Sequence, residues 1–182
     1  MTEVLIPLAT GCEEIEAVTL IDLLRRADIK VTVASLAAKE VRGAHNIGLI
    51  ADVTLDEVKN RSFDMVALPG GQPGSDNLNT DPRIHKILKH HHATKWVGAI
   101  CAAPKVLVDA GLVDDSRITA YPGVLDGQNT AAELSTEAIE CDGNIITSRS
   151  PGTAMEFALT IIEKLIGKEK RSAVEADLIK SP

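Results

Sequence analysis

Aromatic residues are nearly absent from this chain: one Trp, one Tyr and two Phe in 182 residues. Its core must therefore be built from Val, Ile, Leu and Ala, and there is no platform of rings on which nucleic-acid bases could stack. Positive charge is also in deficit. Nineteen Lys and Arg against 26 Asp and Glu leave a net charge of −7, which offers no electrostatic footprint for sequence-specific nucleic-acid binding. No apolar run approaches the length of a membrane span. The first one, Val4–Ala9, lacks the basic leader of a signal peptide and meets Glu13 and Glu14 soon after. Cysteine is sparse and odd in number: Cys12, Cys101 and Cys141 have no metal-site spacing, so free thiols in a reducing cytoplasm are expected. Histidine offers no metal site either. His90-His91-His92 are consecutive, point about 100° apart on a helix and read as a solvated face. His45 stands alone in a loop, and His85 lies on an exposed helix. Pro69-Gly70-Gly71 lacks the Lys-Ser/Thr of a phosphate-binding loop. No metal and no cofactor is expected.

What is present is an alternation of short apolar runs with amphipathic segments, consistent with one domain over residues 1–182. Glu3–Leu8 reads as a buried strand. A helix follows from Glu13 to about Ala27, its apolar stripe formed by Ile15, Val18, Ile21 and Leu24 and widened by Leu20 and Leu23. Lys30–Leu36 is β-branched and reads as a second strand, making a βαβ unit with a parallel pair. Glu40–Asp52 reads as a hairpin or short strand excursion, and Phe63–Leu68 as the next buried strand. Leu78 to about His92 is mainly helical, with a break near Asp81-Pro82. Later come a short strand at Arg117–Ala120, a short helix at Ala131–Leu134 and a hairpin around Asp142-Gly143. A long helix spans Gly152–Ile166 with Pro151 in its first turn, and a more polar helix spans Lys168–Ile179. The pattern predicts an α/β sandwich, a mostly parallel central sheet with helices on both faces.

Lys95–Pro104 is where chemistry concentrates. Trp96–Ile100 reads as a buried strand and Ala102–Val108 as the start of a helix, with Cys101 at the joint. Small neighbours (Gly98, Ala99, Ala102, Ala103) permit a sharp turn, so the segment has the form of a nucleophile elbow with a thiol in place of the serine. The helix start is expected to favour thiolate over thiol. In a parallel sheet, sites form beyond the carboxyl ends of strands, which gathers Cys101, Pro69-Gly70-Gly71 and Ala9–Glu16 around one crevice. A carboxylate there would share a proton with the thiol, since the two resist joint ionisation. At least two of Glu13, Glu14 and Glu16 are expected simply to complement the helix dipole. Cys12 reads as a buried apolar residue and Cys141 as a hairpin residue.

Five stretches taken together, Gly11–Val18, Ile21–Arg26, Leu68–Gly71, Ala99–Pro104 and Thr147–Thr153, resemble the ThiJ/PfpI superfamily, specifically its parkinsonism-associated deglycase branch with bacterial YajL/ThiJ relatives. The resemblance runs over essentially the whole chain and implies a flavodoxin-like sandwich and a homodimer. It implies catalytic roles for Cys101 and Glu16. It implies that backbone N–H groups around Gly70, Gly71 and Ala102 stabilise negative charge, and that Arg149 and Pro151 line the crevice, with Arg25 contributing from the neighbouring region. Tyr121 stands where many members carry a histidine, which points to the YajL-like branch and removes that histidine as a base. Gln72 replaces an Asn of some relatives. Ala102 after the cysteine, instead of the histidine of the protease-like branch, argues against proteolysis, and the late His-x-Glu pair of the glutamine amidotransferases is missing. The implied activity is a cysteine-dependent deglycase or cofactor-independent glyoxalase acting on glyoxal, methylglyoxal and their adducts on amines and thiols of proteins and nucleotides. A non-enzymatic alternative uses the same residues: a redox-sensing chaperone whose Cys101 is oxidised to a sulfenic or sulfinic acid.

Overall fold

The computed structural model describes residues 1–179. Strand β1 (Glu3–Leu8) leads into helix α1 (Glu14–Arg26) and returns in β2 (Lys30–Ser35), parallel to β1 with Val4 opposite Val31. An antiparallel hairpin, β3 (Glu40–Arg42) and β4 (Gly48–Ile50), stands outside the main sheet. The short β5 (Val53–Thr54) then extends the sheet beside β2 and runs into α2 (Leu55–Val58). Thr54 and Glu57 close a reciprocal capping box at that junction.

The chain next crosses to the other side of β1. It adds β6 (Met65–Leu68), α3 (Gly74–Thr80), α4 (Pro82–His92), β7 (Trp96–Ile100) and α5 (Pro104–Asp109). Two strands, β8 (Arg117–Thr119) and β9 (Glu133–Ser135), pair in parallel as a small separate unit. The hairpin β10 (Ile139–Asp142) and β11 (Ile145–Ser148) completes the sheet. A 3-10 turn (Pro151–Thr153), α6 (Ala154–Ile166) and α7 (Lys168–Asp177) follow. The sheet order is β10-β11-β7-β6-β1-β2-β5, parallel throughout except for β10. This is a doubly wound α/β fold with helices on both faces. The order reverses between β1 and β6, which opens a crevice at their carboxyl ends.

Strand residues alternate between two cores. Val4, Ile6 and Leu8 of β1 and Met65 and Ala67 of β6 join Leu20 and Leu24 of α1 and Phe157 and Ile161 of α6. Leu5, Val66 and Leu68 face the opposite way, against Leu78, Ile84, Leu88 and Leu107. Both faces are covered, so the central strands are continuous apolar runs rather than alternating ones.

Four local expectations are corrected. On α1 the inward stripe is Ala17, Leu20, Leu23 and Leu24, while Ile15 and Val18 are 59% and 47% exposed. The helix carries two apolar stripes, and periodicity alone does not say which one meets the sheet. The segment expected as a short helix near Ala131–Leu134 is instead a strand, because Glu133–Ser135 finds partners along Arg117–Thr119. His91 is not on a solvated face. It is buried, its Nε2 accepts from the Phe63 N–H at 3.1 Å, and its Nδ1 lies 2.8 Å from the Ile87 carbonyl. The last long helix also begins later than Gly152, after the 3-10 turn.

Phe157 is the largest fully buried side chain in a chain with few rings. Phe157→Ala is expected to destabilise the fold by about 3–5 kcal/mol, measured as a lower urea midpoint with an unchanged slope.

Candidate active site

Cys101 follows the last residue of β7 with φ +63. A non-glycine residue in the left-handed region is strained, and here two backbone bonds hold it: Cys101 N–H donates to Ser148 O at 2.9 Å, and Tyr121 N–H donates to Cys101 O at 2.8 Å. The thiol projects at the carboxyl edge of the sheet and is 8% exposed. Helix α5 starts only at Pro104 and is six residues long; Ala102 and Ala103 form the turn before it.

Glu16 is brought to the same place by the first turns of α1 and is fully buried. Its Oε2 accepts the Gly70 N–H at 2.7 Å. A side chain at Gly70 would put a Cβ 2.7 Å from that oxygen and 2.7 Å from the Ile100 carbonyl, so only glycine lets the β6 loop approach. At Gly71, with φ +92, a Cβ would overlap the backbone of Glu13. The β6 loop and the β1 loop are stitched together through Glu13 N to Gly70 O at 2.9 Å and Gly74 N to Gly11 O at 3.0 Å. Glu16 Oε1 is buried with no partner that meets hydrogen-bond geometry; its interaction with the Cys101 thiol moves the titration of both groups.

Burial pushes the Glu16 carboxyl up to about 7, against the thiol and the Gly70 N–H, which pull it down. Burial also raises the Cys101 thiol, and an ionised Glu16 raises it further, while the N–H groups of Ala102 and Gly71 pull it down. The expectation that the elbow by itself favours thiolate is therefore corrected: desolvation and the facing carboxylate outweigh two N–H donors and a short helix. Protonating Glu16 removes its negative charge and turns its carboxyl into a donor toward the sulfur, so the pair handles one mobile proton between two acids. Cys12 is buried and is pushed up to about 11, mainly by desolvation, as befits a core thiol.

The other expected residues are distributed as follows. Gly70, Gly71 and Ala102 surround the Cys101–Glu16 pair. Tyr121 is adjacent through its backbone bond to Cys101, with its side chain 48% exposed. Arg149 is the residue after Ser148, and its guanidinium donates to the Thr136 carbonyl at 3.0 Å. Pro151 opens the 3-10 turn that follows. Arg25 is not brought to the crevice: it sits in the last turn of α1, about 13 Å along the helix from Glu16, paired with Asp52 at 2.9 Å. A set that sequence reasoning passed over supports the elbow from below. Ser148 Oγ lies 2.7 Å from Thr153 Oγ1, and Thr153 Oγ1 donates to Ser150 O, which ties the 3-10 turn to the strand end that holds Cys101 N. Hydroxyls in Thr147–Thr153 were its only signal.

Glu13, Glu14 and His45 are the one group of potential metal ligands among the described residues. Glu14 already accepts the His45 N–H at 2.8 Å and the Ile47 N–H at 3.2 Å, with His45 Nδ1 at 3.1 Å. Its work is to dock the β3–β4 hairpin on the start of α1.

A thiol held on an elbow thus faces a buried carboxylic acid at the carboxyl edge of a doubly wound α/β sheet. The family model described as the DJ-1/PfpI family matches residues 2–164, and the chain belongs to that family. It is 42% identical over 180 residues to the Parkinson disease protein 7 homolog of Danio rerio, covering 96% of this chain and 95% of the relative. It is 37% identical over 164 residues to the glutathione-independent glyoxalase DJR-1.2 of Caenorhabditis elegans, covering 89% and 87%. Oxidized DJ-1 of Toxoplasma gondii superposes with a TM-score of 0.95 at 37% identity over 100% of both chains. These relatives are eukaryotic and do not confirm the narrower bacterial YajL-like branch.

Two outcomes follow for Glu16→Gln. The amide carries no charge and keeps an N–H donor beside the sulfur, so the carboxylate that raises the thiol is removed and the pH midpoint for alkylation of Cys101 by iodoacetamide is expected to fall by on the order of one unit; a rise would mean that Glu16 acts on the thiol chiefly as a proton donor. The second concerns stability. Between the carboxyl's ordinary 4.5 and its folded value of about 7, the folded chain keeps a proton that the unfolded chain has lost, so stability falls as pH rises through that window. The variant escapes this loss, and its stability gain over the natural chain is expected to grow between pH 4 and pH 8 to on the order of 3 kcal/mol, read from denaturant titrations at each pH.

Proposed function

We propose that the protein is a cysteine-dependent enzyme of carbonyl-damage defence, acting as a glyoxalase on glyoxal and methylglyoxal and as a deglycase on their adducts with amines and thiols. The observation that carries this reading is the Cys101–Glu16 pair: a nucleophile on a strained elbow facing an acid whose pKa lies near neutral. The naming of the Caenorhabditis elegans relative as a glutathione-independent glyoxalase agrees with it. Cys101 sulfur adds to the aldehyde carbon of methylglyoxal. The C=O π bond becomes a C–O single bond, and the oxygen, held by N–H groups around Gly71 and Ala102, takes the mobile proton. The resulting hemithioacetal loses its C–H proton to Glu16 and becomes an enediolate, whose ketone-derived oxygen takes the hydroxyl proton of the first carbon. Glu16 returns its own proton to the second carbon as the first closes to a C=O, giving a lactoyl thioester. Water cleaves the C–S bond, releasing lactate and restoring the thiol. With an aminocarbinol adduct the carbinol O–H proton passes to nitrogen as the C–N bond breaks, the amine leaves, and the aldehyde so formed takes the sulfur by the same addition. No cofactor takes part.

Two further parts of the reading rest on separate observations. Ile15, Val18, Ile47 and Ile50 are exposed where Glu14 fastens the hairpin to α1, which supports a homodimer through that flank. All three cysteines are unpaired, which supports a cytoplasmic setting. No helix among the described residues is long and apolar enough to cross a membrane. The YajL-like placement and a single unit over residues 1–182 are retained on the strength of Tyr121 and the continuous resemblance.

One observation favours a second reading. Glu16 Oε1 is buried and without a partner of hydrogen-bond geometry, which supports a role as acceptor for the O–H of an oxidised Cys101, as a peroxide-responsive chaperone would require.

The test is lactate formation from methylglyoxal by the natural chain and by Cys101→Ala at matched folding. Lactate that disappears with the thiol is the expected result. Equal background from both proteins would overturn the enzymatic reading and leave the oxidation sensor.

A further inference from the structure

Lys105 lies in the first turn of α5, just past the elbow. Its side chain is only 12% exposed, and its ammonium pairs with Asp76 in the first turn of α3. Gln72 closes a triangle with them: its carbonyl accepts from Lys105 Nζ at 3.2 Å, and its amide donates to Asp76 Oδ2 at 2.5 Å. An ion pair near the surface contributes little stability by itself, so the place of this one is more telling than its strength. Gln72 directly follows Gly71, and Lys105 stands in the turn that follows Ala102 and Ala103. The triangle therefore joins the two segments whose N–H groups, those of Gly71 and Ala102, act on the Cys101 sulfur. The segments are in close contact, since a Cβ at Gly70 would fall 2.9 Å from Ala102 N.

A backbone donor supports an anion only while its N–H points at it, because hydrogen bonds weaken steeply as the angle closes. Gly70, Gly71, Ala102 and Ala103 have no side chains long enough to anchor their own peptide planes. On the α1 side the β6 loop is held by the bond from Glu13 N to Gly70 O; on the α5 side Lys105 ties it down. We propose that Lys105 is a positioning residue: by binding Gln72 and Asp76 to the start of α5, it fixes the separation and direction of the Gly71 and Ala102 N–H groups that hold negative charge at the reacting centre. For the substrate oxygen this role rests on the carbonyl-addition reading; for the sulfur it does not. Farther along the same two helices, Asn79 Nδ2 donates to Asp109 Oδ2 at 2.5 Å. That bond docks α3 on α5 without involving either loop, so it serves as a control.

Charge alone and positioning forecast different results for two variants. Lys105→Met leaves Asp76 uncompensated, and Asp76→Ala leaves Lys105 uncompensated. A purely electrostatic effect would raise the pH midpoint for alkylation of Cys101 by iodoacetamide in the first and lower it in the second. Positioning is expected to raise it in both, by roughly half a unit. Lys105→Arg, which keeps the charge and the donors, is expected to retain the natural midpoint. Asn79→Ala is expected to lower the urea midpoint of unfolding without moving the alkylation midpoint. In lactate formation from methylglyoxal, Lys105→Met is expected to lower kcat roughly tenfold with KM unchanged, a smaller loss than removing an oxyanion donor outright. Opposite shifts in the two variants, no shift in either, or an equal shift in Asn79→Ala would overturn the inference. Raised alkylation midpoints in both variants, with no lactate from the natural chain, would instead overturn the carbonyl chemistry and leave the positioning role standing.

Discussion

Two acids occupy one buried space, and only one of them can be ionised there. That constraint shapes the carboxyl edge of the sheet. Glu16 is without solvent, so its charge is tolerable only through the Gly70 N–H and the thiol opposite it. Removing those donors would leave an uncompensated buried carboxylate, a costly state in a medium of low dielectric. The β6 loop must therefore approach α1 closely enough to donate a backbone proton, and residues 70 and 71 meet that need by having no side chain. The β1 loop, the β6 loop and the elbow are thus parts of one assembly, cross-linked by backbone hydrogen bonds.

The assembly draws its rigidity from the layers beneath it. β1, β6 and β7 are the central strands of the sheet and carry fully buried residues on both faces. Their ends cannot drift without disturbing one core or the other. The elbow's backbone strain is held by bonds to β11 and to the segment after β8. Reactivity at Cys101 is accordingly a property of position, not of the thiol alone; Cys12, also buried, has no acid in a comparable hydrogen-bonded pairing.

Much of this was legible in the chain. Glu3–Leu8 and Trp96–Ile100 coincide with their strands because doubly buried parallel strands are uninterrupted apolar runs, a strong local signal. The crevice followed from the rule about carboxyl ends, and the choice of Glu16 among three neighbouring acids came from family resemblance. Local pattern failed where the deciding partner is remote. The inward face of α1 is selected by α6 and the sheet, not by the helix's own periodicity. Glu133–Ser135 becomes strand through pairing with residues far back in the chain. The burial of His91 depends on a backbone N–H at Phe63. The direction of the thiol's titration is hidden from local pattern for the same reason: desolvation belongs to the folded surroundings and has no sequence signature.

The positive φ of Cys101 also bears on how the gene can vary. Six other amino acids lie one nucleotide from a cysteine codon: serine, glycine, arginine, tyrosine, phenylalanine and tryptophan. Four are too large for a site that is 8% exposed and clasped between two loops, and their bulk would sit on a backbone already strained. Serine keeps the shape and loses the sulfur's nucleophilicity, while glycine relaxes the turn and loses the side chain altogether. A single-nucleotide change that replaces this amino acid can thus leave the fold standing in only two ways, and both silence the thiol.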